Sequence, residues 1–105
     1  MNDLVTDKLH QAAAEDSMSR ELPIINKKGL HARATAKFVQ CCEKFDAVIT
    51  VSRGDETVGG SSIMGILTLG ASQGTTIAVT ATGPQAKAAL DALETLVANR
   101  FGEDE

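Results

Sequence analysis

Apolar residues recur along this chain in two rhythms, one helical and one alternating. Thr35, Phe38, Val39, Cys42 and Phe45 stand at i, i+3, i+4, i+7 and i+10, the repeat of one buried helical face, and predict a helix from about Ala32 to Lys44. On that helix Cys42 points inward and Cys41 outward. Ala47 to Val51 alternates instead, Arg53-Gly54-Asp55 reads as a hairpin turn, and Glu56 to Gly59 returns as a second strand. Before the helix, Leu22 to Asn26 is short and carries Pro23, which suits an edge strand. Lys27-Lys28-Gly29 follows as a turn, with Gly29 free to take a positive φ. Ser61 and Ser62 precede a short helix from Ile63 to Leu69, opened by a serine cap and closed near Gly70. Thr75 to Thr82 alternates again through Ile77, Val79 and Ala81. Gly83-Pro84 then leads into a last helix with Ala86, Ala89, Leu90, Leu93, Val97 and Phe101 inward. The order βαββαβα predicts an α+β fold: an open-faced β-sandwich whose four-stranded, mainly antiparallel sheet carries three helices on one face.

The ends follow neither rhythm strongly. Val5, Leu9 and Ala12 have helical spacing, but the stripe is thin and its flanks are acidic and Ser-rich, so residues 1–20 read as an acidic extension, a loose helix or disordered. The domain is expected over residues 21–102, with 103–105 as an acidic tail, and Met18 is a candidate alternative start.

Composition narrows the function classes. At 105 residues there is room for one domain, and no run approaches the ~18 apolar residues of a membrane span, so no membrane insertion is expected. The formal charge is −4, but it is unevenly placed. Met1 to Glu21 holds five acids against two bases and Glu103 to Glu105 three acids, leaving eight bases against six acids between Leu22 and Gly102. A mildly basic body between acidic ends suits an acidic partner protein. Nucleic acid is not expected, because the chain lacks a net basic excess and has neither Trp nor Tyr for stacking bases. Cys41 and Cys42 are adjacent and stand alone, which excludes a disulfide framework or a zinc site. No secretory signal pattern opens the chain, so a reduced, cytoplasmic protein is expected, with no metal and no cofactor.

His31 is the residue expected to carry chemistry. It falls between a glycine turn and the first turn of a helix, where backbone N–H groups of about Ala32 to Thr35 lack intrahelical partners and can hold an anion. The helix's positive end and Arg33 favour the neutral, nucleophilic ring and would stabilise a phosphoryl group once attached. Lys27, Lys28, Arg33 and Lys37 surround it in sequence. A histidine here can also serve simply as a helix cap or an exposed turn residue. His10 lies in the acidic extension and has no comparable setting.

Gly29-Leu30-His31-Ala32-Arg33, then Ala36-Lys37-Phe38-Val39, then Gly60-Ser61-Ser62-Ile63-Met64-Gly65-Ile66-Leu67-Thr68-Leu69-Gly70 and Gln73-Gly74, resemble the HPr and NPr phosphocarriers of the bacterial phosphoenolpyruvate-dependent phosphotransferase system. The likeness spans about residues 21 to 101 in order and spacing. It implies that His31 takes a phosphoryl group on Nδ1 from phosphorylated enzyme I and passes it to A-type domains of enzyme II, for sugar uptake or nitrogen-related regulation. Arg33 matches the arginine that neutralises the phosphoryl group. Ser62 matches a serine that some members phosphorylate through an HPr kinase/phosphorylase. Ile63, Met64 and Leu67, too many apolar groups for one narrow buried stripe, match the patch that docks partners beside a rim of Lys27, Lys28 and Lys37. A monomeric carrier without independent turnover is expected. One departure is Ala34, where the family usually has proline, which puts loop rigidity and transfer rate in question.

Two other classes fit the same chain. A regulator could bind targets according to its His31 and Ser62 phosphorylation state, and a ferredoxin-like ligand-binding module would share the α+β content but make no use of His31.

Overall fold

The computed structural model describes residues 17–105, so the expectations for His10 and for a helix through Val5, Leu9 and Ala12 lie outside the described residues. Strand β1 (Ser17–Pro23) is followed by helix α1 (Ala32–Cys42), strands β2 (Val48–Arg53) and β3 (Glu56–Gly59), helix α2 (Ile63–Thr68), strand β4 (Thr76–Thr82) and helix α3 (Ala86–Ala98). A 3-10 turn, Arg100–Gly102, closes the last helix. The strands lie in the order β1-β4-β2-β3, and every neighbouring pair is antiparallel. The expected open-faced α+β sandwich is the fold. Among the described residues, no helix is long and apolar enough to cross a membrane.

The alternating rhythm places its residues as expected. Ile77, Val79 and Ala81 of the central strand β4 are buried, as are Ile49 and Val51 of β2, while Val48 lies 72% exposed on the wet face. In α1 the stripe Ala34, Thr35, Phe38, Val39 and Cys42 is buried, and Phe45 is partly buried against the same core.

Two elements differ from expectation. The edge strand begins at Ser17 rather than Leu22, so residues 17–20, assigned from sequence to the extension, pair with β4 from Ser17↔Thr82 to Arg20↔Val79. The core-side row of β1 is Met18, Arg20 and Leu22, and a charge in that row hides the alternation. Its charge is answered from α3: Arg20 Nη1 donates to Asp91 Oδ1 at 2.6 Å, with Glu94 at 3.8 Å. Past Pro23 the backbone still bonds to the neighbouring segment, through Ile24 N–H to Thr75 O at 2.8 Å and Gly74 N–H to Ile24 O at 2.9 Å.

The second difference is at the other end. Phe101 is buried, at 1% exposed, but not by continuing α3: Arg100 and Phe101 take φ of 57° and 56°. Each of these two L-residues costs roughly 1–2 kcal/mol, about 2–4 kcal/mol together, of which burying the phenylalanine side chain returns about 1.5–3 kcal/mol. The Lys37 ammonium adds a bond to Phe101 O at 2.6 Å. This left-handed turn reverses the chain and lays residues 103–105 across the start of α1, so the acidic tail does not trail away from the body.

Candidate functional site

His31 is the N-cap residue of α1, with extended backbone (φ −74°, ψ −179°), and its side chain does not cap the helix. The turn before it depends on Gly29, at φ 64°, whose missing Cβ would stand 2.6 Å from Ala71 O. That close approach lets Leu30 N–H bond Ala71 O at 2.9 Å and fixes how the chain enters the helix. Thr35 N–H already bonds His31 O at 2.8 Å, so the amides ahead of the ladder are those of Ala32, Arg33 and Ala34, one fewer than the sequence suggested. Thr35 Oγ1 meanwhile donates to Leu30 O at 3.1 Å. Ala34 is fully buried, and because its amide precedes the first ladder bond, a proline there would forfeit no helical hydrogen bond.

The ring is half-buried, and a carboxylate lies against it. His31 Nε2 stands 2.5 Å from Glu103 Oε2, with the Glu103 side chain 19% exposed. Among the described residues no hydrogen bond engages Nδ1. The second oxygen of Glu103 accepts from Asn26 Nδ2 at 3.0 Å, and the same amide donates to Gly29 O at 2.8 Å. Burial on its own would raise the Glu103 carboxyl, but the hydrogen bonds from Asn26 and His31 and the attraction of His31 and Lys28 hold it below the usual carboxylate range. Neither Asn26 nor Glu103 was anticipated as part of the site. Asn26 did leave a signal, since it continues the buried every-second-residue row of Leu22 and Ile24. Glu103 left none, being one acid among three at a polar end.

Around His31 a cleft of about 520 Å³ is lined by Lys27, Lys28, Ala32, Arg33, Glu103, Asp104 and Glu105. Lys27 pairs with Glu105 at 3.4 Å, and its amide bonds Glu105 O at 2.9 Å. Three of the four bases expected around the histidine therefore line the cleft beside three acids of the returning tail, and of these bases Lys27 is ion-paired with the tail. Lys37 is not in this cleft. Its ammonium is engaged by Phe101 O, and it lines a larger groove of about 750 Å³ between α1 and α3, together with Cys41 and Lys44. That groove contains no histidine, so the smaller cleft is the candidate site.

Ser62 is the N-cap of α2: its exposed hydroxyl accepts from Gly65 N–H at 3.0 Å. Next to it Ile63 is 43% and Met64 71% exposed, whereas Leu67 is half-buried and Ile66 takes the core position. Since α2 packs against α1, this apolar pair lies on the helix adjoining the one that His31 opens.

Comparison with known proteins bears on this arrangement. The family described as "PTS HPr component phosphorylation site" matches residues 18–99. The chain is 46% identical over 88 residues to the phosphocarrier protein HPr of Cupriavidus necator, covering 84% of this chain and 99% of that one. It is 41% identical over 86 residues to the phosphocarrier protein NPr of Shewanella violacea, covering 82% of this chain and 94% of that one. Among solved structures, HPr-C-His from Thermoanaerobacter tengcongensis superposes with a TM-score of 0.81 at 41% identity, covering 84% of this chain and 99% of that one.

Proposed function

Because the chain belongs to the HPr family of phosphocarrier proteins of the phosphotransferase system, we propose that it accepts a phosphoryl group on Nδ1 of His31 from phosphorylated enzyme I and hands it to A-type domains of enzyme II. The observation that carries this reading is the histidine itself: a half-buried ring at a helix start, with Nε2 engaged by Glu103 and, among the described residues, no hydrogen bond on Nδ1. In the transfer, the Nδ1 lone pair forms the N–P bond as the bond from phosphorus to the donor breaks, and that electron pair returns to the donor. The leading amides of α1 and Arg33 meet the oxygens of the bound group, whose charge they favour by dipole and by guanidinium hydrogen bonds. The same steps in reverse deliver it to the acceptor.

Partners dock on the exposed Ile63 and Met64 with Lys27 and Lys28 at the rim, and Leu67 supports the patch from a half-buried position. The chain turns over no small substrate of its own. Ser62 is the regulatory phosphosite in this reading. A phosphate on that cap suits the start of a helix but adds roughly −2 charge beside the docking patch, which weakens pairing with an acidic partner surface.

Incubation with phosphoenolpyruvate and enzyme I tests the proposal. Acid-labile phosphate should appear on the protein and be lost in His31→Ala. Absence of label on the parent, or full labelling of the variant, would overturn it.

A further inference from the structure

We infer that Glu103 is a positioning residue for the phosphoryl-accepting histidine, holding the proton on Nε2 so that the lone pair stands on Nδ1. This inference rests on the reading of His31 as the acceptor. A neutral imidazole has one N–H and one lone pair, and which nitrogen carries which is set by the bond the other atoms make. An ionised carboxylate only accepts. Its oxygen 2.5 Å from Nε2 therefore matches a protonated Nε2 and disfavours the opposite tautomer, in which two lone pairs would face each other.

Three features show that this contact is built into the fold rather than made by a loose end. Asn26, fully buried, grips the other Glu103 oxygen at 3.0 Å while anchored to Gly29 O at 2.8 Å. The turn that aims Glu103 is fixed by buried Phe101 and by the Lys37 bond to Phe101 O. Beyond it, Glu105 O accepts from Lys27 N–H at 2.9 Å. The carboxylate is thus oriented from both of its oxygens and from the chain on either side.

The consequence for transfer follows from charge. When Nδ1 forms its bond to phosphorus and the donor's bond to phosphorus breaks, Nε2 keeps its proton and the ring becomes cationic. Glu103 faces that new charge. No proton has to leave or arrive during the step.

Nitrogen-15 NMR of the His31 ring in the full chain, with Glu103→Gln and Glu103→Ala beside the parent, tests this without any partner. Glutamine keeps the size of the side chain but can donate as well as accept, so it retains the packing and loses the discrimination. With the pH raised until the ring is neutral, the parent should show a protonated Nε2 and a bare Nδ1, and both variants should show averaged, intermediate shifts. In both, acceptance of phosphoryl from enzyme I should slow about tenfold, the loss expected of one charge-assisted hydrogen bond, with label still on His31. A Glu103→Gln ring spectrum identical to the parent's, or unchanged acceptance in both variants, overturns the inference. A parent that takes no phosphoryl group overturns the carrier reading instead, and the ring spectra still report on the tautomer.

Discussion

Replacing Phe101 tests the link between the left-handed turn and the site. The side chain is 1% exposed, and removing such a ring from a core costs about 3–5 kcal/mol. At φ 56° and ψ 27° alanine retains the left-handed penalty of roughly 1–2 kcal/mol, whereas glycine has none. Glycine's greater freedom in the unfolded chain takes back about 0.4–1 kcal/mol. Phe101→Gly should therefore be more stable than Phe101→Ala, by about 0.8 kcal/mol and at most about 1.6 kcal/mol. Had Phe101 simply continued α3, as its spacing from Val97 suggests, the order would reverse, because glycine inside a helix is about 1 kcal/mol worse than alanine. Urea unfolding of parent and both variants decides the sign, provided the slope with denaturant stays constant. A glycine variant less stable than the alanine variant would refute the turn geometry, and with it the account of how Glu103 reaches His31.

The remaining predictions concern pH, the entry turn, the cap and the thiols. A carboxyl held below its ordinary value contributes stability that is complete above the unfolded carboxylate range and is lost as pH falls through the folded value. Glu103→Gln should thus be less stable than the parent at neutral pH and converge with it on acidification, and parallel stability curves would count against the Asn26 and His31 contacts. Gly29→Ala combines a left-handed φ with a Cβ 2.6 Å from Ala71 O, and should lower stability by more than about 2 kcal/mol in thermal unfolding. Ser62→Ala removes the α2 cap and should cost about 1 kcal/mol by the same measurement, leaving the proposed labelling at His31 unchanged. Burial, reinforced by Cys41, pushes the Cys42 thiol up to about 12, and burial also raises Cys41 against the pull of Lys44. Since the thiolate is the reactive form, iodoacetamide at neutral pH should modify Cys41 slowly and Cys42 hardly at all in the native protein. Rapid double alkylation would contradict the packing of α1.

The parts of the site that lie close together in sequence were legible in it. Gly29, His31 and Arg33 fall within five residues, and a glycine turn followed by a helical stripe is enough to put a histidine at a helix start. Ser62 was legible for the same reason, because a cap is a relation between neighbours. The start of β1 was obscured by Arg20, whose place in the core-side row makes sense only with Asp91 opposite it. Lys37 was grouped with the other bases by sequence distance, yet one turn along α1 it faces the closing turn of the chain rather than the cleft.

What the sequence by itself determined is therefore the set of elements, most of the residues that form the core, and the candidate histidine at a helix start, since all of these are written in periodicities and short-range turns. Only the tertiary structure decided what meets that histidine. Glu103 is separated from His31 by 72 positions, and its approach depends on two left-handed residues and a buried phenylalanine that reverse the chain. No local pattern encodes a contact of that kind, because it arises from where two distant segments are brought by packing.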